Sequence, residues 1–214
     1  MLRSNGRNAQ LQKWYERLAS LVSSAQKGLS EMDPARVAKR SGCTPDADGS
    51  LRLTFFRQPY TVRPPDYAIR QGDEIPTTFT QSLILTYLAT ADGTLPSGRW
   101  SSFHDLPGGQ FYAQAFRGYA EKRLVRELGN AGLEAFRRAA ERLEGTPLDV
   151  GGASYAFPIL PRLQLAAVYW PGDEDLSSQA SILFEDSAPH YMSTDGLAVL
   201  GSHLVGAILA KARG

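Results

Sequence analysis

The stretch GASYAFPILPRLQLAAVYWPGDEDLSSQASILFED, residues 152–186, decides the fold class, because three apolar runs follow one another with only short turns between them. Aliphatic and aromatic side chains dominate the runs 152–160, 162–170 and 179–186, a composition typical of β-strands. The middle run is apolar on both faces, which favours a central strand. The turn PGDED, residues 171–175, predicts a hairpin between the last two runs.

An earlier segment predicts a second group of strands. The run LRLTFF, residues 51–56, alternates apolar with polar side chains, the period of a strand. Two shorter, proline-bounded runs follow at 59–65 and 67–72. We therefore predict an antiparallel meander.

The remaining segments have helical periodicity. Predicted helices cover residues 8–29, 34–41, 77–93, 110–128 and 132–143, and a last helix begins at Ser193 or Thr194. Asp33, Pro34 and Gly42 provide the cap, first-turn and stop signals of the second helix. The order of elements predicts one α+β domain over 33–214 with mainly antiparallel sheet, preceded by an N-terminal amphipathic helical extension over 1–32.

Composition and charge limit the kinds of binding partner and the cellular location that we expect. A formal net charge of +1 provides no strong attraction for nucleic acid or an anionic membrane. Cys43 is the only cysteine, so the chain has no iron–sulfur motif and no internal disulfide. The start of the chain lacks a signal-peptide pattern, and the apolar stretch 197–210 is short for a membrane span. We expect a cytoplasmic protein without nucleic-acid or membrane partners.

The segment 98–124 contains the candidate site for a small-molecule ligand. Aromatic, histidine and glycine residues there, with one later tryptophan, make up the candidate set: Trp100, Phe103, His104, Gly108, Gly109 and Trp170. The glycine pair has two interpretations. It provides a positive φ where a helix starts, or its backbone N–H groups cradle an anion. The phosphate-binding patterns of nucleotide sites are absent, and we favour the helix start.

Acidic residues form a second candidate site. Carboxylates, with one histidine, supply the oxygen and nitrogen ligands of a divalent cation, and the candidate set is Asp173, Glu174, Asp175, Glu185, Asp186 and His190. The spacing matches no named metal motif. A solvated acidic hairpin tip is the alternative interpretation.

Three segments together carry a resemblance to a known family. They are SGRWSSFHDLPGG at 97–109, FPILPRLQLAAVYWPGDED at 157–175 and SILFEDSAPHY at 181–191. In this order they resemble a bacterial and archaeal family catalogued as domain of unknown function 3786. Some members carry a cysteine-rich iron–sulfur segment, and this chain has none. The family has no established activity, so the resemblance implies only that the LPGG loop and the acidic hairpin share a role.

Three functions are consistent with these patterns, and whether the protein is an enzyme stays open. The one we favour is a non-catalytic module that binds a small molecule or flat cofactor, such as a corrinoid or another tetrapyrrole. The second is a metal-assisted hydrolase or transferase that uses the acidic residues. The third is an interaction scaffold that docks a protein partner, or a second copy as a homodimer, through helix 8–29.

Overall fold

The computed structural model describes residues 2–129 and 132–214, with side chains from residue 16 onward. The chain divides into two units, Met1–Thr94 and Leu95–Gly214. Helices and antiparallel sheet occur in both units, so the predicted α+β class is confirmed. The division into a 1–32 extension and a 33–214 domain stays a prediction.

The first unit contains the predicted meander. Its strands are β1 (Thr44–Pro45), β2 (Leu51–Phe55), β3 (Gln58–Arg63) and β4 (Ala68–Arg70), paired in that order. All three pairings are antiparallel. In β2 every second side chain is buried, as the alternation in the sequence predicts.

The helices of the first unit are α1 (Leu2–Ser30), α2 (Pro34–Ser41) and α3 (Thr78–Thr90). The Asp33 carboxylate accepts from the Ala35 N–H at 3.1 Å, and Gly42 ends α2 at φ +73°, both as predicted. Helix α3 begins after Thr77 as predicted but ends at Thr90, before the expected Gly93.

Helix α1 packs against α3 within the first unit. Leu18 and Leu29 are buried, whereas Leu21 is 54% exposed. The side chains of Trp14 and Tyr15, two aromatic residues of the predicted helix 8–29, lie outside the described side chains. Docking of a partner on helix 8–29 therefore stays a prediction.

The second unit is built on a five-stranded sheet with the order β5-β9-β8-β7-β6. Its strands are β5 (Trp100–Ser102), β6 (Thr146–Pro147), β7 (Ala153–Leu160), β8 (Leu163–Trp170) and β9 (Gln179–Glu185). The predicted central strand is β8. Of its six inner residues, 164–169, five are buried and Gln164 is half-buried. The predicted hairpin is confirmed, since Trp170 pairs with Gln179 across it.

The helix predicted over 110–128 is not continuous. It consists of a 3₁₀ turn (Gly109–Phe111), α4 (Ala113–Phe116), a π-helix (Arg117–Glu121) and α5 (Lys122–Leu128). The ring of Phe116 stacks on Phe103 in the core at 4.3 Å, while Glu121 reaches the backbone of β9. We attribute the wider π turn to these two tertiary contacts, which override the regular helical period.

Two further helices complete the second unit, α6 (Gly132–Arg142) and α7 (Thr194–Arg213). The Ser193 side chain accepts from the Gly196 N–H and caps α7, as predicted. Within the described part of the chain, α7 is the one helix long and apolar enough to cross a membrane. Its apolar residues Leu197, Leu200, Leu204 and Ile208 are all buried.

Candidate functional site

The glycine pair of the LPGG segment starts a helical turn. Gly108 has φ +72° and precedes the 3₁₀ turn Gly109–Phe111. The Gly109 N–H donates to the Leu106 carbonyl at 2.8 Å. A Cβ added to Gly109 would lie 2.0 Å from the carbonyl oxygen of Phe103. The helix-start interpretation is therefore confirmed, and Gly109 is also required by a close backbone approach.

An open groove lies beside Gly108, between the LPGG turn and the start of α7. Its volume is about 460 Å³, within the range of ligand pockets. Its lining, here named the aromatic groove, consists of Pro107, Gly108, Phe111, Tyr112, Pro189, Met192, Ser193, Thr194 and Asp195. The Thr194 hydroxyl donates to the Pro107 carbonyl at 2.7 Å and so joins the two walls.

Two aromatic side chains at this groove are unexpectedly exposed. Phe111 is 82% exposed and Tyr112 is 63% exposed. Neither residue is among the ligand residues predicted from the sequence. The 3₁₀ turn at Gly109–Phe111 precedes α4, so these residues do not share the helical phase of Phe116. Sequence spacing alone contains no signal for that change of phase.

The other predicted ligand residues do not line the aromatic groove. Phe103 is buried in the core, and Trp100 lies in β5 opposite Glu185. The exposed His104 ring lies 3.3 Å from the Asp105 carboxylate. Trp170 ends β8, and a Cβ added to Gly151 would lie 3.5 Å from its indole nitrogen. Among the six candidates, Gly108 therefore lines this groove.

The acidic hairpin is organised by its own backbone. One Asp173 carboxylate oxygen accepts from the N–H groups of Asp175 at 2.9 Å and Leu176 at 2.8 Å. Asp173, Glu174 and Asp175 are all exposed. The carboxylate of Asp173 therefore stabilises the turn, as aspartate commonly does in such loops.

Glu185 is buried at the opposite end of β9 and joins two loops. One carboxylate oxygen accepts from the Ser97 hydroxyl at 3.0 Å and the Gly98 N–H at 2.9 Å. The other accepts from the Ser187 N–H at 2.8 Å and from the Ser187 hydroxyl. Burial raises the pKa of Glu185, but the hydrogen bonds from Ser187 and Ser97 outweigh it and leave the pKa below its ordinary value.

Asp186 is held by an ion pair at the surface. Its carboxylate accepts from the Ser101 hydroxyl at 2.6 Å and from the Arg99 guanidinium at 2.8 Å. These hydrogen bonds, the one from Ser101 first, lower the pKa of Asp186. Glu185, the last residue of β9, and Asp186, the next residue, thus both have protein partners.

The six predicted metal ligands are not brought together. The seven residues of β9 separate the hairpin from Glu185 by about 20 Å. His190 is exposed in the 3₁₀ turn Ala188–His190. Within residues 2–129 and 132–214, no three His, Cys, Asp or Glu side chains are grouped to hold a metal ion. Metal binding by the six predicted ligands therefore stays a prediction, and no cluster of ligands among the described residues supports it.

The LPGG turn and the acidic hairpin also lie at opposite ends of β9. Phe116, just after the turn, lies 5.9 Å from Phe184 near the C-terminal end of the strand. The hairpin precedes Gln179 at the other end. The shared role that the resemblance implied does not rest on a common site.

Cys43 lies buried in the first unit. Burial raises the pKa of its thiol to about 11, although the Ser41 hydroxyl opposes this. The thiol is therefore protonated at neutral pH and is not an activated nucleophile.

The comparisons with known proteins identify a family. The sequence model described as "Domain of unknown function (DUF3786)" matches residues 33–207. Because the match covers most of the chain, the protein belongs to this family. No curated protein and no solved structure matches the chain.

Proposed function

We propose that the protein is a non-catalytic binding module for a flat, conjugated small molecule of the corrinoid or tetrapyrrole kind. The ligand would lie in the aromatic groove beside Gly108. One observation carries this proposal: two adjacent aromatic rings, Phe111 and Tyr112, stand largely in solvent at the edge of a groove of about 460 Å³. Adjacent exposed aromatic side chains are typical of binding surfaces.

Stacking on these rings would contribute substantial free energy. A flat ligand that covers one face of each ring would remove about 100 Å² of apolar surface per ring. At about 25 cal/mol per Å², each ring would contribute about 2.5 kcal/mol before the cost of immobilising the ligand. Micromolar affinity would need further contacts from the proline and methionine side chains of the lining.

The polar wall of the groove favours hydrogen-bond donors on the ligand. The Asp195 carboxylate is exposed at this wall. The pKa of Tyr119 is raised, first by burial of Tyr119 and second by the negative charge of Asp195. The Ser193 and Thr194 hydroxyls already bond within the protein. A carboxylate at this wall accepts from amide N–H groups and repels ligand carboxylates. We therefore favour an amide-bearing corrinoid over a porphyrin with carboxylate side chains.

Titration with cyanocobalamin and protoporphyrin IX tests the proposal, with calorimetry and absorption as the readouts. We expect saturable binding of cyanocobalamin, tighter than that of protoporphyrin IX. The double variant Phe111→Ser/Tyr112→Ser should weaken binding at least about tenfold, since it removes both stacking faces.

The matched control is Leu95→Ser/Leu176→Ser, which removes two side chains that are 71% and 64% exposed outside this groove. It should bind like the unmodified protein. Equal losses in both double variants, or no saturable binding of either compound, would contradict the proposal.

We also propose a cytoplasmic location, supported by the burial of the apolar face of α7. A homodimer or protein partner on helix 8–29 is a separate proposal, supported by the exposure of Leu21. The variant Leu21→Ser tests it, because Leu21 is exposed and loss of association with the fold retained is the expected result.

A further inference from the structure

A second groove lies between the start of β9 and the helical segment that contains Arg117 and Glu121. Its volume is about 220 Å³, below the range of about 300–1,000 Å³ for pockets of drug-sized ligands. Charged side chains and the start of β9 line it, among them Arg117, Glu121, Lys122, Arg126, Gln179 and Ala180. We name it the cationic groove.

The floor of the cationic groove is an open strand edge. Strand β5 pairs only with Leu183–Glu185, so it does not cover the first half of β9. There the Ile182 N–H donates to the Glu121 carboxylate at 3.2 Å. Backbone groups of every second residue in a strand face the same edge. The N–H and C=O of Ala180 therefore face this groove.

The walls carry an excess of positive charge. Arg117, Lys122 and Arg126 are exposed cations, and Glu121 is the one carboxylate among the described lining residues. The Arg117 Nε lies 3.9 Å from Glu121, and Arg126 lies 3.7 Å from Glu127. With side chains 64% and 70% exposed, both arginines form only loose ion pairs.

Glu121 has a positioning role in this arrangement. One of its oxygens caps the Ile182 N–H, and the other faces Arg117. Burial raises the pKa of this carboxyl, against the lowering effects of the Ile182 N–H and Arg117. The π-helix places Arg117 and Glu121 at its two ends, beside the strand edge.

We propose that the cationic groove binds a small oxyanion that carries more than one phosphate or carboxylate group. Guanidinium groups from Arg117 and Arg126 would hold the oxygens, and Lys122 would add a point charge. The Ala180 N–H would donate from the floor. This site is separate from the aromatic groove and does not depend on the ligand proposed there.

Calorimetric titration at low salt tests this site with pyrophosphate and citrate as the probes. We expect saturable binding of at least one probe, and the tighter of the two assigns the ligand to the phosphate or the carboxylate class. The triple variant Arg117→Gln/Lys122→Gln/Arg126→Gln should lose at least about tenfold in affinity.

The matched control is Arg137→Gln/Arg138→Gln/Lys211→Gln, which removes the same charges from exposed positions outside the groove. It should keep most of the affinity. Equal losses in both triple variants would overturn the proposal, because they would show attraction by net charge alone. Circular dichroism of each variant verifies that the fold is intact.

The variant Glu121→Gln gives an independent result of opposite sign. Its amide oxygen still accepts from the Ile182 N–H, while the negative charge is gone, so probe affinity should rise about threefold or more. Phe111→Ser/Tyr112→Ser should bind the probes like the unmodified protein, which separates this site from the aromatic groove. Unchanged or weaker binding in Glu121→Gln, or no saturable binding of either probe, would overturn the proposal.

Discussion

Gly109 occupies a position where the backbone of the preceding 3₁₀ turn, Phe103–Asp105, leaves no room for a side chain. Its neighbour Gly108 differs, because open space surrounds it and only its φ of +72° favours glycine. The two glycines of one motif therefore have different physical requirements. The two glycines are identical in the sequence. Only the position of the Phe103 carbonyl next to Gly109 distinguishes them.

We expect Gly109→Ala to lower the free energy of unfolding by about 2–3 kcal/mol, because the Cβ forces the turn apart. Gly108→Asn should cost less than about 1 kcal/mol, because asparagine tolerates the left-handed region. Urea denaturation measures both variants. Equal costs at the two positions would contradict the close approach at Gly109.

Helix α7 shows how one element combines two environments. A Cβ added to Gly201 would lie 2.8 Å from the buried ring of Phe116, whereas one added to Gly206 meets nothing within 4 Å. Phe116 also stacks on Phe103, just before the LPGG turn. Packing at Gly201 is therefore connected to the wall of the aromatic groove.

The substitution Gly206→Ala should raise the free energy of unfolding by about 0.5–1 kcal/mol, from helix propensity alone. The same change at Gly201 should lower it by about 1–2 kcal/mol, because overpacking against Phe116 exceeds that gain. Thermal unfolding of both variants gives the comparison. A stabilised Gly201→Ala protein would show that this contact yields easily.

At the scale of elements, the sequence predicted much of this architecture. The caps of α2 and α7, the meander and the central strand β8 all follow from local signals and apolar periodicity. The interruption of the helix at Gly109–Glu121 does not follow from them. It depends on the packing of Phe116 and on the hydrogen bond that the Ile182 N–H of β9 donates to Glu121. The exposure of Phe111 and Tyr112 depends on that break.

At the scale of the whole molecule, Glu185 links stability to pH. Its pKa lies below the ordinary value of 4.5, so the folded protein binds this proton less readily than the unfolded chain. Its contribution is therefore complete above about pH 4.5 and is lost as the pH falls through the lowered pKa. The loops at Ser97 and Ser187 should then detach from the end of β9.

The variant Glu185→Gln should lower the free energy of unfolding at pH 7 by about 3 kcal/mol, since an amide cannot accept all of these hydrogen bonds. Its stability should also fall less steeply with acid. Glu174→Gln, at the exposed hairpin, should change stability by less than about 0.5 kcal/mol. Denaturation curves between pH 3 and 7 decide this, and an unchanged acid slope in Glu185→Gln would contradict the assignment.

The sequence by itself determined the α+β class, most element boundaries and, through three separated segments, the family. These properties depend on local backbone preferences, on the periodicity of apolar residues and on the order of motifs, all of which can be recognised in the sequence. The tertiary structure alone decided which candidate residues meet. It placed the acidic side chains at opposite ends of β9, exposed Phe111 and Tyr112, and brought Arg117 and Glu121 to the open edge of the same strand. Such neighbours depend on pairing register and helical phase, which long-range packing sets.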